Sequence, residues 1–111
     1  MSDGEGVLMY ARVTMFEGES ARDIQRDLSY FEHELLPKTK EIPGMAGGLV
    51  LVERGTGQVM TVTLWEDERA LEESRDTYST LYSVAYQTMN LSAAPKMREF
   101  EVGVAALEHP V

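Results

Sequence analysis

Tyr30 and His33 stand three apart in the chain, a spacing that projects both side chains to one side of a helix. An imidazole titrating near neutrality can take a proton from an acidic C–H or a phenol. His33 is therefore the candidate base; its plainer reading is a surface or capping histidine. Trp65 is the only tryptophan. Its indole offers a broad apolar face and one N–H donor, suited either to stacking on a flat aromatic substrate or to anchoring a core. Arg12 interrupts an otherwise apolar stretch, where it either holds a substrate carboxylate or enolate or pairs with Glu99 or Glu101 on a neighbouring strand. Tyr78 and Tyr82, four apart, share a helix face; they are core residues by spacing, with hydroxyls able to line a pocket between helices and sheet. The candidate substrate-binding set is thus Trp65, Tyr30, Arg12, Tyr78 and Tyr82, with Met9, Met15 and Met60 as a polarizable wall or simply a methionine-rich core.

Other chemistries are excluded by what is missing. Two histidines, His33 and His109, and no cysteine leave no metal-ligand constellation and no thiolate nucleophile. Gly44, Gly47 and Gly48 precede a strand rather than a helix and lack the lysine of a phosphate loop, so they read as turn residues. Ten Lys and Arg against 19 Asp and Glu give a net charge of −9, which argues against nucleic acid or an anionic membrane as partner. The longest uncharged apolar run, Met45–Val52, is far below the roughly 20 residues that span a bilayer, and the first residues carry no signal-peptide pattern. The expectation is a cytoplasmic protein of one domain over residues 1–111, ordered over about 7–105 with flexible ends at 1–6 and 106–111.

Six elements must position these residues. Val7–Phe16 reads as a strand with Leu8, Tyr10, Arg12, Thr14 and Phe16 on one face and Val7, Met9, Ala11, Val13 and Met15 on the other. Ser20 with Asp23 three residues later marks a helix start, and Ile24, Leu28, Phe31 and Leu35 form its apolar stripe; Pro37 ends or kinks it. Gly48–Arg54 and Val59–Trp65 flank Gly55-Thr56-Gly57 and read as a hairpin whose glycines supply positive φ. A second helix starts near Glu66-Asp67-Glu68 and runs through Leu71, Tyr78, Leu81, Tyr82 and Ala85 towards Asn90. Met97–Ala105 closes the series as a strand with one wetter face, suited to an edge.

The order β-α-β-β-α-β predicts an α+β, ferredoxin-like fold: a four-stranded antiparallel sheet, first and third strands central, with two helices on one face. Strands one to three carry apolar residues on both faces, and an uncovered face of that kind is larger than monomers usually leave wet. A homodimer packing sheet against sheet is expected.

At Thr63-Leu64-Trp65-Glu66-Asp67-Glu68-Arg69-Ala70-Leu71 the chain resembles the antibiotic biosynthesis monooxygenase family of the dimeric α/β-barrel superfamily, where the third strand ends in a tryptophan followed by acids and an Ala-Leu helix start. Pro43-Gly44 resembles the Pro-Gly that precedes strand two there. The resemblance implies a small monooxygenase that needs no cofactor, acting on a polycyclic aromatic or quinone-type precursor that itself supplies the electrons; a non-catalytic dimer binding a small apolar molecule is the alternative. Haem degradation is disfavoured. That branch carries an asparagine on strand one and a histidine in helix two, where this chain has Ala11 and Ser74-Arg75.

Overall fold

The computed structural model describes residues 9–17, 23–91 and 93–106. Four strands, β1 (Tyr10–Phe16), β2 (Met45–Glu53), β3 (Gln58–Trp65) and β4 (Lys96–Glu101), pair antiparallel in the order β2-β3-β1-β4. The ferredoxin-like α+β architecture expected from the element order is the one observed, with the first and third strands in the middle. Val7 and Leu8 lie outside the described residues. β2 begins at Met45 rather than Gly48, with a register shift inside it between Met45 and Gly47, so Gly47 and Gly48 are strand residues and not turn residues. β4 stops at Glu101, short of Ala105, although the Val102 N–H still donates to the Met9 carbonyl. In the hairpin only Gly57 has positive φ, at 76°, and its N–H closes the turn on the Glu53 carbonyl at 2.9 Å.

The first helical run starts at Asp23, whose carboxylate accepts the Arg26 N–H as an N-cap; Ser20 lies outside the described residues. It comprises α1 (Ile24–Tyr30), a π-helical stretch (Phe31–Leu35) and α2 (Leu36–Lys40). Pro37 therefore neither ends nor breaks the helix. Its missing N–H and its ring would disturb the preceding turn, and the wider π-stretch just before it gives the ring room. Ile24, Phe31 and Leu35 are buried, as the four-three-four stripe requires.

The second run departs further from expectation. Asp67 caps α3 (Glu68–Glu73) by accepting the Ala70 N–H, and a break at Ser74 separates it from α4 (Arg75–Thr88). The Ser74 hydroxyl donates to the Leu71 carbonyl at 2.7 Å, and that same carbonyl accepts Arg12 Nη2 at 2.9 Å. A side chain from the sheet thus occupies the acceptor that helix continuation would use, which no periodicity reveals.

Both helical runs lie on one face of the sheet. Facing them are Arg12, Thr14 and Phe16 of β1 and Val59, Thr61, Thr63 and Trp65 of β3, all buried with Phe31, Leu35, Leu71, Tyr78, Tyr82 and Ala85 from the helices. The other face carries no element of the described chain. Register aligns three rows across it: Gly47–Leu64–Ala11–Phe100, Leu49–Val62–Val13–Arg98 and Leu51–Met60–Met15–Lys96. Leu49 is 53% and Leu51 47% exposed there.

Gly44 ties the start of β2 to the start of α3. Its φ is +88°, a Cβ on it would collide with the Ala70 side chain, and its carbonyl accepts the Glu66 N–H at 2.9 Å. Gly44→Ala adds a left-handed-region cost to a steric one, so a loss of roughly 2–4 kcal/mol is expected, read as a lower urea midpoint at unchanged slope.

Candidate functional site

Four of the six candidate residues meet in one place. On β1, Arg12 stands opposite Thr63 of β3 and Glu99 of β4, and its guanidinium turns inward beneath α3 and α4. Nε and Nη2 donate to Glu99 Oε2 at 3.1 and 2.8 Å, Nη1 donates to Ser74 Oγ at 3.0 Å, and Nη2 also reaches the Leu71 carbonyl. The guanidinium carbon lies 4.3 Å from the Tyr78 ring centroid and 5.3 Å from that of Trp65. Of the two partners open to Arg12 in the sequence, register selects Glu99; Glu101 stands opposite Tyr10 instead.

Trp65 donates its indole N–H to Thr63 Oγ1 at 3.0 Å and meets Tyr78 edge to face. Tyr78 shares a hydrogen bond with Thr14 at 2.5 Å and stacks on Tyr82 with centroids 4.0 Å apart. Trp65, Tyr78 and Tyr82 are fully buried and Arg12 is 1% exposed. This is a closed, packed wall: the arginine's donors face protein acceptors, and the indole faces protein rings.

Glu99 is clamped twice, since Arg75 Nη2 also donates to Oε1 at 2.6 Å. Arg75 first, and Arg12 after it, hold the carboxyl below the ordinary carboxylate range, with burial opposing them. A carboxyl whose folded pKa is depressed stabilises the protein above its unfolded pKa and loses that contribution as pH falls through the folded value. Acidification below about pH 4.3 should therefore lower the urea midpoint of the wild type more steeply than that of Glu99→Gln. Parallel acid slopes would show that this carboxylate is not the one titrating.

Tyr30 and His33 do project together, on the outer side of the first helical run, where they border a shallow depression with Gln25 and Arg26. Tyr30 is half-buried against Phe31, with centroids 6.2 Å apart. The His33 side chain is 67% exposed, and its Nε2 lies 3.7 Å from Glu32 Oε1. The structure therefore divides the candidates into a buried set between the sheet and α4, and a pair on α1 and the π-stretch of which Tyr30 is half-buried and His33 exposed.

Between the first helical run and the beginning of β2 lies a groove of about 720 Å³. Leu28, Phe31, Leu36 and Pro37 form one wall, Met45, Gly47, Gly48 and Val50 the other, and Gln25, Glu32 and Lys40 supply its polar groups. A Cβ on Gly48 would come within 3.2 Å of Met45 Cε and 3.8 Å of Leu36 Cδ2, so the bare backbone keeps this wall low. The glycine pair inside an apolar run was the available signal for a groove, and reading both as turn residues concealed it. Among the described residues, no group of three or more His, Cys, Asp or Glu side chains is placed to hold a metal ion. No described helix is long and apolar enough to cross a membrane.

No protein-family model matches the chain. The uncharacterized protein Rv2558 of Mycobacterium tuberculosis is 22% identical over 107 residues, 96% of this chain but 44% of that one, so the chain spans about half the length of the curated relatives it matches. Among solved structures, a variant of SnoaB, a cofactor-independent oxygenase from Streptomyces nogalater, superposes with a TM-score of 0.67 at 16% identity, covering 90% of this chain and 98% of that one. A monooxygenase from the gene ActVA-Orf6 of Streptomyces coelicolor, in complex with nanaomycin D, gives 0.66 at 18% identity, covering 93% and 94%. At such identities the likeness is one of fold. The chain has the subunit fold of the antibiotic biosynthesis monooxygenase-like proteins, the group that the Trp65 segment resembles.

Proposed function

We propose that this protein is a homodimer that takes a flat, largely apolar molecule, of the polycyclic aromatic or quinone-precursor class, into the groove between the first helical run and β2, and oxygenates it without a cofactor. The groove carries this reading: its walls are apolar and its few polar groups sit among them, the composition of a small-molecule site. The activity part draws support from the fold shared with SnoaB and with the nanaomycin D complex. Dimerisation draws support from the apolar side chains that β1, β2 and β3 place on the open sheet face.

In the reaction proposed, a base removes a proton from an activated CH₂ of the substrate, the carbanion reduces oxygen, and the carbon leaves as a carbonyl with one oxygen atom released as water. His33 is the candidate base by way of Glu32: the Glu32 carboxylate, which lines the groove, takes the substrate proton and passes it to the His33 imidazole, 3.7 Å away. Trp65 and Arg12 lie outside the groove lining and in this scheme do not touch substrate.

A second reading, binding without turnover, is favoured by one observation: the imidazole is not itself a wall of the groove. Oxygen uptake with an anthrone separates the two. Uptake by the wild type that His33→Ala and Glu32→Gln both abolish supports the enzyme. Trp65 fluorescence that responds to the anthrone while no oxygen is consumed leaves the binding protein, and silence in both measurements removes the groove as the ligand site.

A further inference from the structure

A layer of buried hydroxyls lies between the sheet and the helices. Tyr78, Tyr82, Thr14, Thr61 and Thr39 are all fully buried. Tyr78 is bonded to Thr14 and stands 3.5 Å from Thr61, and Thr39 donates to the Leu35 carbonyl at 2.8 Å. The Tyr82 hydroxyl is different. It is buried and has no hydrogen-bond partner, with Tyr78, Thr61 and Thr39 around it but not in bonding geometry. A buried phenol left unpaired is costly, and a simple core would replace it with phenylalanine.

Two rings in series separate Tyr82 from the groove. Phe31 lines the groove and meets Phe16 at 5.5 Å, and Phe16 stacks on Tyr82 at 5.9 Å. Val50, another groove wall, stands opposite Thr61 in the sheet, and Thr39 precedes the groove residue Lys40. Phe31 also opens the π-helical stretch, where the Leu36 N–H reaches back to the Phe31 carbonyl. Such wide turns recur at functional sites, where the helix is already out of its regular hydrogen-bonding register.

We propose that Tyr82 is a ligand-binding residue: with Phe31 and, behind it, Phe16 turned aside, the groove extends to the Tyr82 hydroxyl, which donates a hydrogen bond to a carbonyl oxygen of a quinone- or anthrone-type ligand. This rests on the groove being the ligand site. Burial raises the phenol's pKa, so it stays protonated and remains a donor throughout the physiological range. A carbonyl oxygen is the matching group because a protonated phenol that makes no hydrogen bond is a donor lacking an acceptor, and a carbonyl accepts without offering a proton of its own.

Trp65 fluorescence titrated with anthraquinone-2-sulfonate and with anthracene-2-sulfonate compares two ligands of the same ring outline, only one of which carries carbonyls. The wild type should bind the quinone about tenfold more tightly, and Tyr82→Phe should lose that factor while its affinity for the anthracene is unchanged. Free of ligand, Tyr82→Phe should melt no lower than the wild type, because it discards an unpaired group; a purely structural hydroxyl would lower the melting temperature and leave the affinity ratio alone. Phe31→Ala should tighten the quinone and keep the preference. A wild type that binds both probes, with a ratio that Tyr82→Phe does not alter, overturns the proposal and leaves the groove standing. A wild type that binds neither probe overturns the groove itself.

Discussion

Arg12→Ala should cost about 3–5 kcal/mol of folding stability, measured by guanidinium unfolding at fixed protein concentration. The substitution strips one partner from a buried ion pair, leaving Glu99 to Arg75 alone, and removes the donors serving Ser74 Oγ and the Leu71 carbonyl. It also opens a void between Trp65 and Tyr78, whose rings both face the guanidinium. The losses at Ser74 and Leu71 fall in a buried region, so nothing replaces those bonds, whereas the partly exposed Glu99 can turn to water. Arg12→Lys keeps a charge but cannot span Glu99, Ser74 and Leu71 with one planar fork, and should recover less than half of the loss. Glu99→Gln should cost less than Arg12→Ala, since its carboxylate is partly exposed. A loss below about 1 kcal/mol for Arg12→Ala would mean that the network contributes little beyond filling space.

Val13→Asp should convert a species of twice 12.4 kDa into one of 12.4 kDa in sedimentation. Val13 lies in the middle row of the open sheet face, between Val62 and Arg98. A carboxylate buried there between two sheets loses its hydration, which pairing with the neighbouring Arg98 only partly offsets, a cost of several kcal/mol that the free subunit avoids by leaving it in water. Leu49→Glu, on the edge strand and already half exposed, is the gentler companion and should dissociate the dimer without disturbing the core. A circular dichroism spectrum matching that of the wild type in either variant separates dissociation from unfolding. A wild type that sediments as a single chain at micromolar concentration would remove the sheet-face dimer altogether.

These two expectations concern opposite faces of one strand, and β1 shows why the sequence carried one reading further than the other. Alternation placed Arg12, Thr14 and Phe16 together and Ala11, Val13 and Met15 together, and the structure keeps both groupings. Both sets are rich in apolar residues, so the period alone did not say which set meets the helices. The answer came from the helices: Ser74, Leu71 and Tyr78 supply the polar and aromatic partners that Arg12 and Thr14 need. The candidate site divided in the same way. Spacing correctly put Tyr30 beside His33 and Tyr78 beside Tyr82, because neighbours one helical turn apart are a local matter. Whether either pair meets a ligand depended on what stands opposite, and the groove walls come from segments that only the fold brings together.

Strands, helices, the hairpin and their order were legible in the chain because periodicity, caps and turn residues act over a few positions. The break at Ser74, the choice of Glu99 for Arg12, the π-stretch before Pro37 and the unpaired hydroxyl of Tyr82 were not. The first two rest on contacts across 62 and 87 residues, and the last on every neighbour that packing happens to deliver. Side chains that must satisfy charge and hydrogen bonding away from water take whatever partner the folded sheet and helices present, and that partner has no fixed distance along the chain.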